Sequence, residues 1–228
     1  MTTTFYFISI LIMVISIGVQ FRFRSRARRF SQNGLANGLS GAEIATKMLH
    51  DHGIYDVQVI HTAGELTDHY DPTKKTVNLS DDVFFGRSTL AAAVAAHECG
   101  HAVQHAKAYS WLEFRSTMVG PVSVASRYMT WVILGGFVLA AMGIGTMLLK
   151  VGVVLFALTT VFSFVTLPVE FDASKRALAW LNDKNMVSTS EGNEAREALN
   201  WAATTYVMAA LSSLATLLYY ASLLMGDD

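Results

Sequence analysis

Four long stretches of this sequence contain no Asp, Glu, Lys or Arg, and they limit the available folds more than any other feature. A helix needs about 20 apolar residues to cross the hydrocarbon core of a bilayer, and these runs contain 19, 22, 19 and 24 residues. The chain is 52% hydrophobic and only 15% charged, which is unusual for a soluble protein of 228 residues. We therefore predict a mainly α-helical integral membrane protein with four transmembrane helices, over Thr2–Gln20, Tyr128–Leu149, Val151–Val169 and Ala202–Met225.

The basic clusters at the ends of these runs predict the topology. Five arginines follow the first run and no basic residue precedes it, which is typical of a membrane anchor rather than a cleaved signal peptide. Only Lys150 separates the two middle runs, and Gly143, Gly145 and Gly152 lie nearby, which predicts a transmembrane hairpin with a very short turn. Because basic loops stay in the cytoplasm, we predict cytoplasmic soluble segments and external termini. The clusters are Arg22, Arg24, Arg26, Arg28 and Arg29 after the first run, and Arg115, Arg127, Lys175 and Arg176 around the hairpin.

The segment between the first two runs has the pattern of a small soluble α+β unit. Ser40 and Glu43 have the spacing of a capping box, which predicts the start of a helix that Gly53 ends. Short strands are predicted over 57–60, 65–70 and 76–79, forming a small antiparallel sheet. An alanine-rich helix is then predicted from about Thr89 to Tyr109.

The alanine-rich helix contains the sequence His97-Glu98-Cys99-Gly100-His101. Residues four apart on an α-helix differ by about 40° in rotation and about 6 Å along the axis, so both imidazoles can point at one ion. This HExxH spacing is typical of zinc peptidases, in which the glutamate acts as general base on a metal-activated water. We predict one Zn²⁺ ion bound by His97 and His101, with Glu98 as the catalytic base and Gly100 leaving room beside the metal.

A catalytic zinc site of this kind needs a third protein ligand, and the sequence leaves several candidates open: His105, His69, Asp68, Glu170 and Asp172. His105 lies another 6 Å along the same helix, so a straight helix does not easily bring it to the same ion. Glu170 is favoured because the predicted hairpin returns to the membrane face from which it left. In a helix, Glu170 and Asp172 would point about 200° apart, and Asp172 has Lys175 and Arg176 at ion-pair spacing.

Three motifs together resemble a known family. The sequence HECGHAVQHA, preceded by LTDHYDP and VNLS and followed by LPVEFDASKRAL, is similar to the bacterial membrane family of YugP-type neutral zinc metallopeptidases. The similarity covers about residues 30–225. That family is in turn similar to the HtpX and CAAX-prenyl-protease class of membrane zinc peptidases, which combine HExxH, a transmembrane hairpin and an ExxxD motif.

The resemblance implies roles for further residues. It implies Glu170 as the third zinc ligand, with Ser174 where the class has the aspartate of ExxxD. In the class, a strand before the metal helix pairs with the substrate, so Asp68 and His69 could steady a substrate or the oxyanion; turn polarity explains them equally well. His105 is expected to support the site from outside the ligand set or to be a surface histidine. The resemblance also implies the bacterial inner membrane as the location.

These observations predict a zincin-like, gluzincin-like catalytic domain at the membrane surface of a multi-pass protein. The predicted parts are an N-terminal transmembrane anchor (1–21), the soluble part of the catalytic domain with the HExxH helix (22–118), a transmembrane hairpin (119–169), a helical segment with the third metal ligand (170–200) and a C-terminal transmembrane helix (201–228). The predicted function is zinc-dependent hydrolysis of peptide bonds in membrane or membrane-near proteins.

The predicted partners are a protein or peptide substrate and membrane lipid. Accessory membrane proteins are a further candidate class of partner. A net charge of −1 with no interleaving of basic and aromatic residues gives no indication of nucleic-acid binding. The alternative is a non-enzymatic membrane protein with a structural or regulatory zinc site. A transporter is disfavoured because the four runs lack ionisable Asp, Glu, Lys and Arg. Cys99, the single cysteine, is expected to face the core and excludes an intrachain disulfide.

Overall fold

A computed structural model describes residues 2–225 of the chain, which contain seven helices and three short strands. In chain order the elements are α1 (Thr2–Gln32), α2 (Gly41–Asp51), β1 (Gln58–His61), β2 (His69–Asp71), β3 (Thr76–Leu79), α3 (Asp81–Phe84), α4 (Thr89–Ala106), α5 (Ser110–Ala141), α6 (Met147–Asp183) and α7 (Thr189–Met225). The C-terminal residues 226–228, which the sequence predicts to be external, lie outside the described residues.

Four helices, α1, α5, α6 and α7, are long and apolar enough to cross a membrane. This confirms the prediction of four candidate spans from the uncharged runs. Each helix continues beyond its run into charged sequence, because nothing in the flanking residues stops a helix. The run Val151–Val169, for example, is the middle of α6 rather than the whole of it.

The described residues form two compact units. One contains residues 2–20, 113–167 and 205–225, which include most of the uncharged sequence. The other contains 21–112 and 168–204, and therefore the HExxH helix together with Glu170.

In the first unit, glycines allow the hairpin helices α5 and α6 to pack closely. A Cβ added at Gly136 would lie 2.7 Å from the backbone nitrogen of Leu149, and one at Gly152 would lie 2.7 Å from a side-chain carbon of Ile133. Small residues at such contacts are typical of helix packing in membranes. Serine and threonine hydroxyls add contacts between helices, with Thr160 Oγ1 2.7 Å from Ser213 Oγ.

The hairpin turn lies between Ala141 and Met147, at two of the glycines noted in the sequence and not at Lys150. Gly143 and Gly145 have φ angles of +71° and +118°, values that residues with a Cβ atom rarely adopt. Lys150 is instead in the first turn of α6, where its amide donates to the carbonyl of Thr146. The reversal therefore follows the glycines, and the charged residue is carried on the helix.

The second unit contains a core in which α2 and the sheet pack around α4. The capping box at the start of α2 is confirmed, because Ser40 Oγ accepts from the amide of Glu43 while Glu43 Oε2 accepts from the amide of Ser40. Gly53, with φ +72°, follows the end of the helix as predicted. Alanines make α4 thin enough to be surrounded by other elements, and Ala93, Ala95 and Ala96 are fully buried.

The prediction of an antiparallel sheet is wrong for one of its two strand pairs. The strand order is β1-β3-β2, with β3 antiparallel to β2 but parallel to β1. The predicted second strand over 65–70 is shortened to His69–Asp71, because Gly64 and Leu66 adopt positive φ angles just before it. After β1 the chain reverses and forms β2 at the other edge of the sheet. It then reverses again, so that β3 lies between β1 and β2 and runs parallel to β1. The alanine-rich helix also ends at Ala106, before Ala108 at φ +48°.

The packing of the hairpin can be tested with a pair of glycines on α5. Gly136→Ala should lower the free energy of unfolding by about 1–3 kcal/mol, since the new methyl group meets the backbone of α6. Gly120→Ala is the matched control, because a Cβ there meets nothing within 4 Å; it should raise stability by up to about 1 kcal/mol. Thermal unfolding in detergent measures both, and equal shifts would contradict the close packing.

Candidate metal centre

Helix α4 presents His97, Glu98 and His101 from a well-fixed position in the second unit. Its start is capped by Ser88, whose Oγ accepts from the amide of Ala91. Cys99 is fully buried on the opposite side, with its Sγ 3.5 Å from the carbonyl of Ala45. Burial raises the pKa of the Cys99 thiol well above its usual value, so this side chain is an inert part of the core, as predicted.

Gly100 is the point at which α4 meets α6. A Cβ added there would lie 2.6 Å from the carbonyl oxygen of Ala173, a separation that real Cβ atoms essentially never show. The space beside Gly100, predicted to lie next to the metal, is therefore filled by the backbone of α6. This contact brings Glu170, one turn before Ala173, opposite the two histidines.

The donor atoms of His97, His101 and Glu170 all lie within 4.8 Å of one another. Glu170 Oε2 is 3.3 Å from His97 Nε2 and 3.7 Å from His101 Nε2. His101 and Glu170 are buried, at 7% and 4% exposure. Two imidazole nitrogens and one carboxylate form the donor set of a three-ligand catalytic zinc site, so these residues fit a zinc ion.

The charges around His101 favour its protonated form when no metal is bound. Burial alone lowers the pKa of this imidazole, but the nearby carboxylates of Glu170 and Glu98 and the contact with Gln104 outweigh burial, so the net effect raises the pKa. A proton on His101 competes with a metal ion for the ring, and the neighbouring carboxylates strengthen both.

Each histidine also has a partner on the ring nitrogen that faces away from Glu170. Ser174 Oγ lies 3.1 Å from His97 Nδ1, and Gln104 Oε1 lies 3.0 Å from His101 Nδ1. Such contacts orient the ring and leave Nε2 for the metal. Ser174 was expected to support the site, whereas sequence reasoning missed Gln104. The spacing of three residues between His101 and Gln104 could have indicated their contact. The partners of Gln104 on α6 are distant in sequence and gave no such indication.

Glu98 is 8% exposed and lies next to His97 in sequence. Across residues 2–225, no side chain or amide donates a hydrogen bond to its carboxylate. A carboxylate at this position can accept a hydrogen bond from a water molecule.

Asp172 lies outside the three-donor cluster. Its Oδ2 accepts from Gln104 Nε2 at 2.9 Å and from Arg176 Nε at 2.5 Å. The ion pair with Arg176 was expected from the spacing of four residues. The hydrogen bond from buried Gln104 was not expected, and it connects Asp172 to the interior of the second unit.

The remaining candidates have partners of their own. Asp68 Oδ1 accepts from the amide of Ser80 at 2.8 Å and also contacts its hydroxyl. His69 Nδ1 lies 2.7 Å from the carbonyl of its neighbour Thr67, and His105 Nδ1 lies 2.8 Å from the hydroxyl of Tyr70. The structure brings none of these three into the cluster of donors.

Comparison with known proteins identifies the family. The family model described as "Putative neutral zinc metallopeptidase" matches residues 5–225. The chain belongs to this zinc metallopeptidase family. The resemblance seen in its motifs is thereby confirmed over almost the whole sequence.

A relative within this family comes from Bacillus subtilis (strain 168) and is described as "Putative membrane protease YugP". The two sequences are 39% identical over 198 residues, which cover 87% of this chain and 86% of the relative. The four apolar helices agree with a membrane protease family. No solved structure matches the chain.

Zinc binding tests the assignment of Glu170. Glu170→Ala should weaken zinc binding at least about 100-fold, because two imidazoles alone hold the ion weakly. Asp172→Ala is the control on the same helix and should stay within about tenfold of the native affinity, since Asp172 contacts Gln104 and not the donor cluster. Competition with a chromogenic chelator measures both. The opposite order would transfer the ligand role to Asp172, and no loss in either would return it to His69, Asp68 or His105.

Proposed function

We propose that the chain is a membrane-embedded zinc endopeptidase of the gluzincin type, with a zincin-like catalytic domain. The observation that carries the proposal is the cluster of His97, His101 and Glu170 with an adjacent, unbonded Glu98, in a chain of the zinc metallopeptidase family. His97, His101 and Glu170 would hold one Zn²⁺ ion.

When bound, zinc supplies a Lewis acid that polarises the peptide carbonyl and makes a water molecule acidic enough to attack it. The Glu98 carboxylate takes the proton from the attacking water and passes it to the nitrogen of the leaving amine. Ser174 and Gln104 hold the two imidazole rings during these steps. Burial of His101 and Glu170 keeps bulk water from the ligands.

A cavity beside α4 supports binding of a peptide. Leu90 and Val94 line it, and they precede Glu98 by eight and four residues, so they share its side of the helix. Its volume of about 420 Å³ lies in the range of ligand pockets. Asp68 also lines the cavity and can contact a bound chain. His69 and His105 stay candidates for substrate contacts at the edge of the sheet.

The substrates are membrane or membrane-near proteins, because Glu170 comes directly after the uncharged run Val151–Val169. A ligand at this position keeps the reaction close to the bilayer. The proposed parts are those the sequence predicts: anchor 1–21, soluble part 22–118, hairpin 119–169, ligand-bearing segment 170–200 and last span 201–228. The location is the bacterial inner membrane, with the zinc site on the cytoplasmic side.

Substitution of the base separates an enzyme from a protein that only binds zinc. Glu98→Gln should bind zinc with native stoichiometry but cleave an unfolded test protein about 10²–10⁴-fold more slowly, because the proton acceptor is lost while both imidazoles remain. His97→Ala and His101→Ala are the contrasting variants and should lose metal and activity together. Native-rate cleavage by purified Glu98→Gln would contradict the enzyme. If the native protein bound zinc tightly but cleaved nothing, the result would favour the alternative, a non-enzymatic protein with a structural or regulatory zinc site.

Labelling of introduced thiols in whole cells tests the topology. Ser31→Cys and Ser190→Cys should resist an impermeant reagent, because the arginine cluster and the basic hairpin ends predict a cytoplasmic position for both. Ile144→Cys in the hairpin turn and Asp228→Cys should react. Cys99 gives little background because it is fully buried. The reversed pattern of labelling would overturn the proposed orientation.

A further inference from the structure

Gln104 is fully buried within the second unit and lies three residues after His101 on α4. Buried polar side chains are costly unless their hydrogen-bonding groups are paired. Gln104 pairs both ends of its amide: Oε1 with His101 Nδ1, and Nε2 with two acceptors on α6. This side chain joins the helix of the HExxH motif to the helix that carries Glu170.

The two acceptors fix which way the amide points. Gln104 Nε2 donates to the carbonyl of Val169 at 2.8 Å and to Asp172 Oδ2 at 2.9 Å. Neither group has a proton to donate when Asp172 is ionised. A flipped amide would place its oxygen against both acceptor oxygens and would remove the donor from the carbonyl of Val169. The amide oxygen of Gln104 must therefore face His101.

An amide oxygen only accepts hydrogen bonds, so His101 Nδ1 must carry the proton in this contact. In neutral His101 the lone pair then lies on Nε2, the ring nitrogen 3.7 Å from Glu170 Oε2. This is the tautomer that a metal ion requires at Nε2. His97 differs, because the hydroxyl of Ser174 can either donate or accept and does not select a tautomer.

Asp172 is itself held in place. Arg176 Nε donates to Asp172 Oδ2, the atom that also accepts from Gln104, and the Arg176 guanidinium lies 5.7 Å from the centre of the Tyr109 ring. The contacts thus form a chain from Arg176 through Asp172 and Gln104 to His101.

We infer that Gln104 is a positioning residue that fixes the tautomer of His101 for zinc, and that Asp172 fixes the orientation of Gln104. This inference rests on the proposed zinc site. It also assigns Asp172 a role in the site, although Asp172 is not one of the proposed ligands.

The first test measures the tautomer in the absence of metal. The full-length protein, with ¹⁵N-labelled histidine and in detergent, is studied by long-range ¹H–¹⁵N NMR while the pH is raised until the ¹⁵N signals of His101 no longer change, so that the ring is neutral. The His101 signal is identified by its loss in His101→Asn. Native His101 should show a protonated Nδ1 and an unprotonated Nε2. Gln104→Met, which has similar size and no amide, should give a mixture of both tautomers.

A further variant separates positioning from packing. Val103→Ala removes buried volume from the neighbouring position on α4 without touching the polar contacts, and should leave the tautomer unchanged. Should Gln104→Met not fold, Asp172→Ala supplies the same test, because the amide then keeps one acceptor and can turn.

Zinc affinity provides the second readout. Gln104→Met should weaken zinc binding about 10–100-fold, as expected for loss of a hydrogen bond to a ligand imidazole. Asp172→Ala should weaken it less than about tenfold, and Val103→Ala should leave it unchanged. An unchanged His101 tautomer in both Gln104→Met and Asp172→Ala overturns the inference, as does an equal loss of affinity in Val103→Ala. Failure of the native protein to bind zinc would instead overturn the proposed function.

Discussion

The organisation of the second unit depends on one buried carboxylate. Glu170 is almost completely enclosed, and an isolated charge in such a place would be too costly for a stable fold. Its partners are the two imidazoles of α4. When protonated they attract the carboxylate directly, and when neutral they can bind a cation together with it. Without these imidazoles, the buried carboxylate of Glu170 would oppose the packing of α6 against α4.

Backbone proximity makes this arrangement attainable. The side chains of His and Glu are short, so their donor atoms can converge only if α4 and α6 nearly touch. Gly100 on one helix and the carbonyl of Ala173 on the other provide that contact, and the alanines of α4 allow the rest of the core to close around it. The chemistry of the site thus depends on residues that have almost no side chains.

Features set by neighbouring residues could be predicted from the sequence, and features set by distant contacts could not. The four candidate spans follow from the length of each apolar run, and the start of α2 from the local exchange between Ser40 and Glu43. The spacing of His97 and His101 is likewise a property of one helix. By contrast, the parallel pairing of β1 and β3 depends on how the chain between them crosses.

The same distinction explains the errors around the site. The runs were divided at Lys150 because charge interrupts the apolar sequence there, whereas the backbone reverses at the nearby Gly143 and Gly145, where glycine permits positive φ angles. Gln104 looked like an ordinary polar residue, since its partners Val169 and Asp172 are more than 60 residues away in sequence. Asp172 looked like a surface residue because its local partner, Arg176, already explained it.

The contact at Gly100 restricts how such a chain can change over generations. Two positions of HExxH are formally variable, yet the second of them faces the backbone of α6 at a distance that leaves no room for a methyl group. A new side chain there could be accepted only together with a displacement of α6, which would carry Glu170 away from the histidines. In chains with this arrangement of helices, the more informative signature is HExGH, because its glycine records the packing of a second helix that the shorter motif does not reveal.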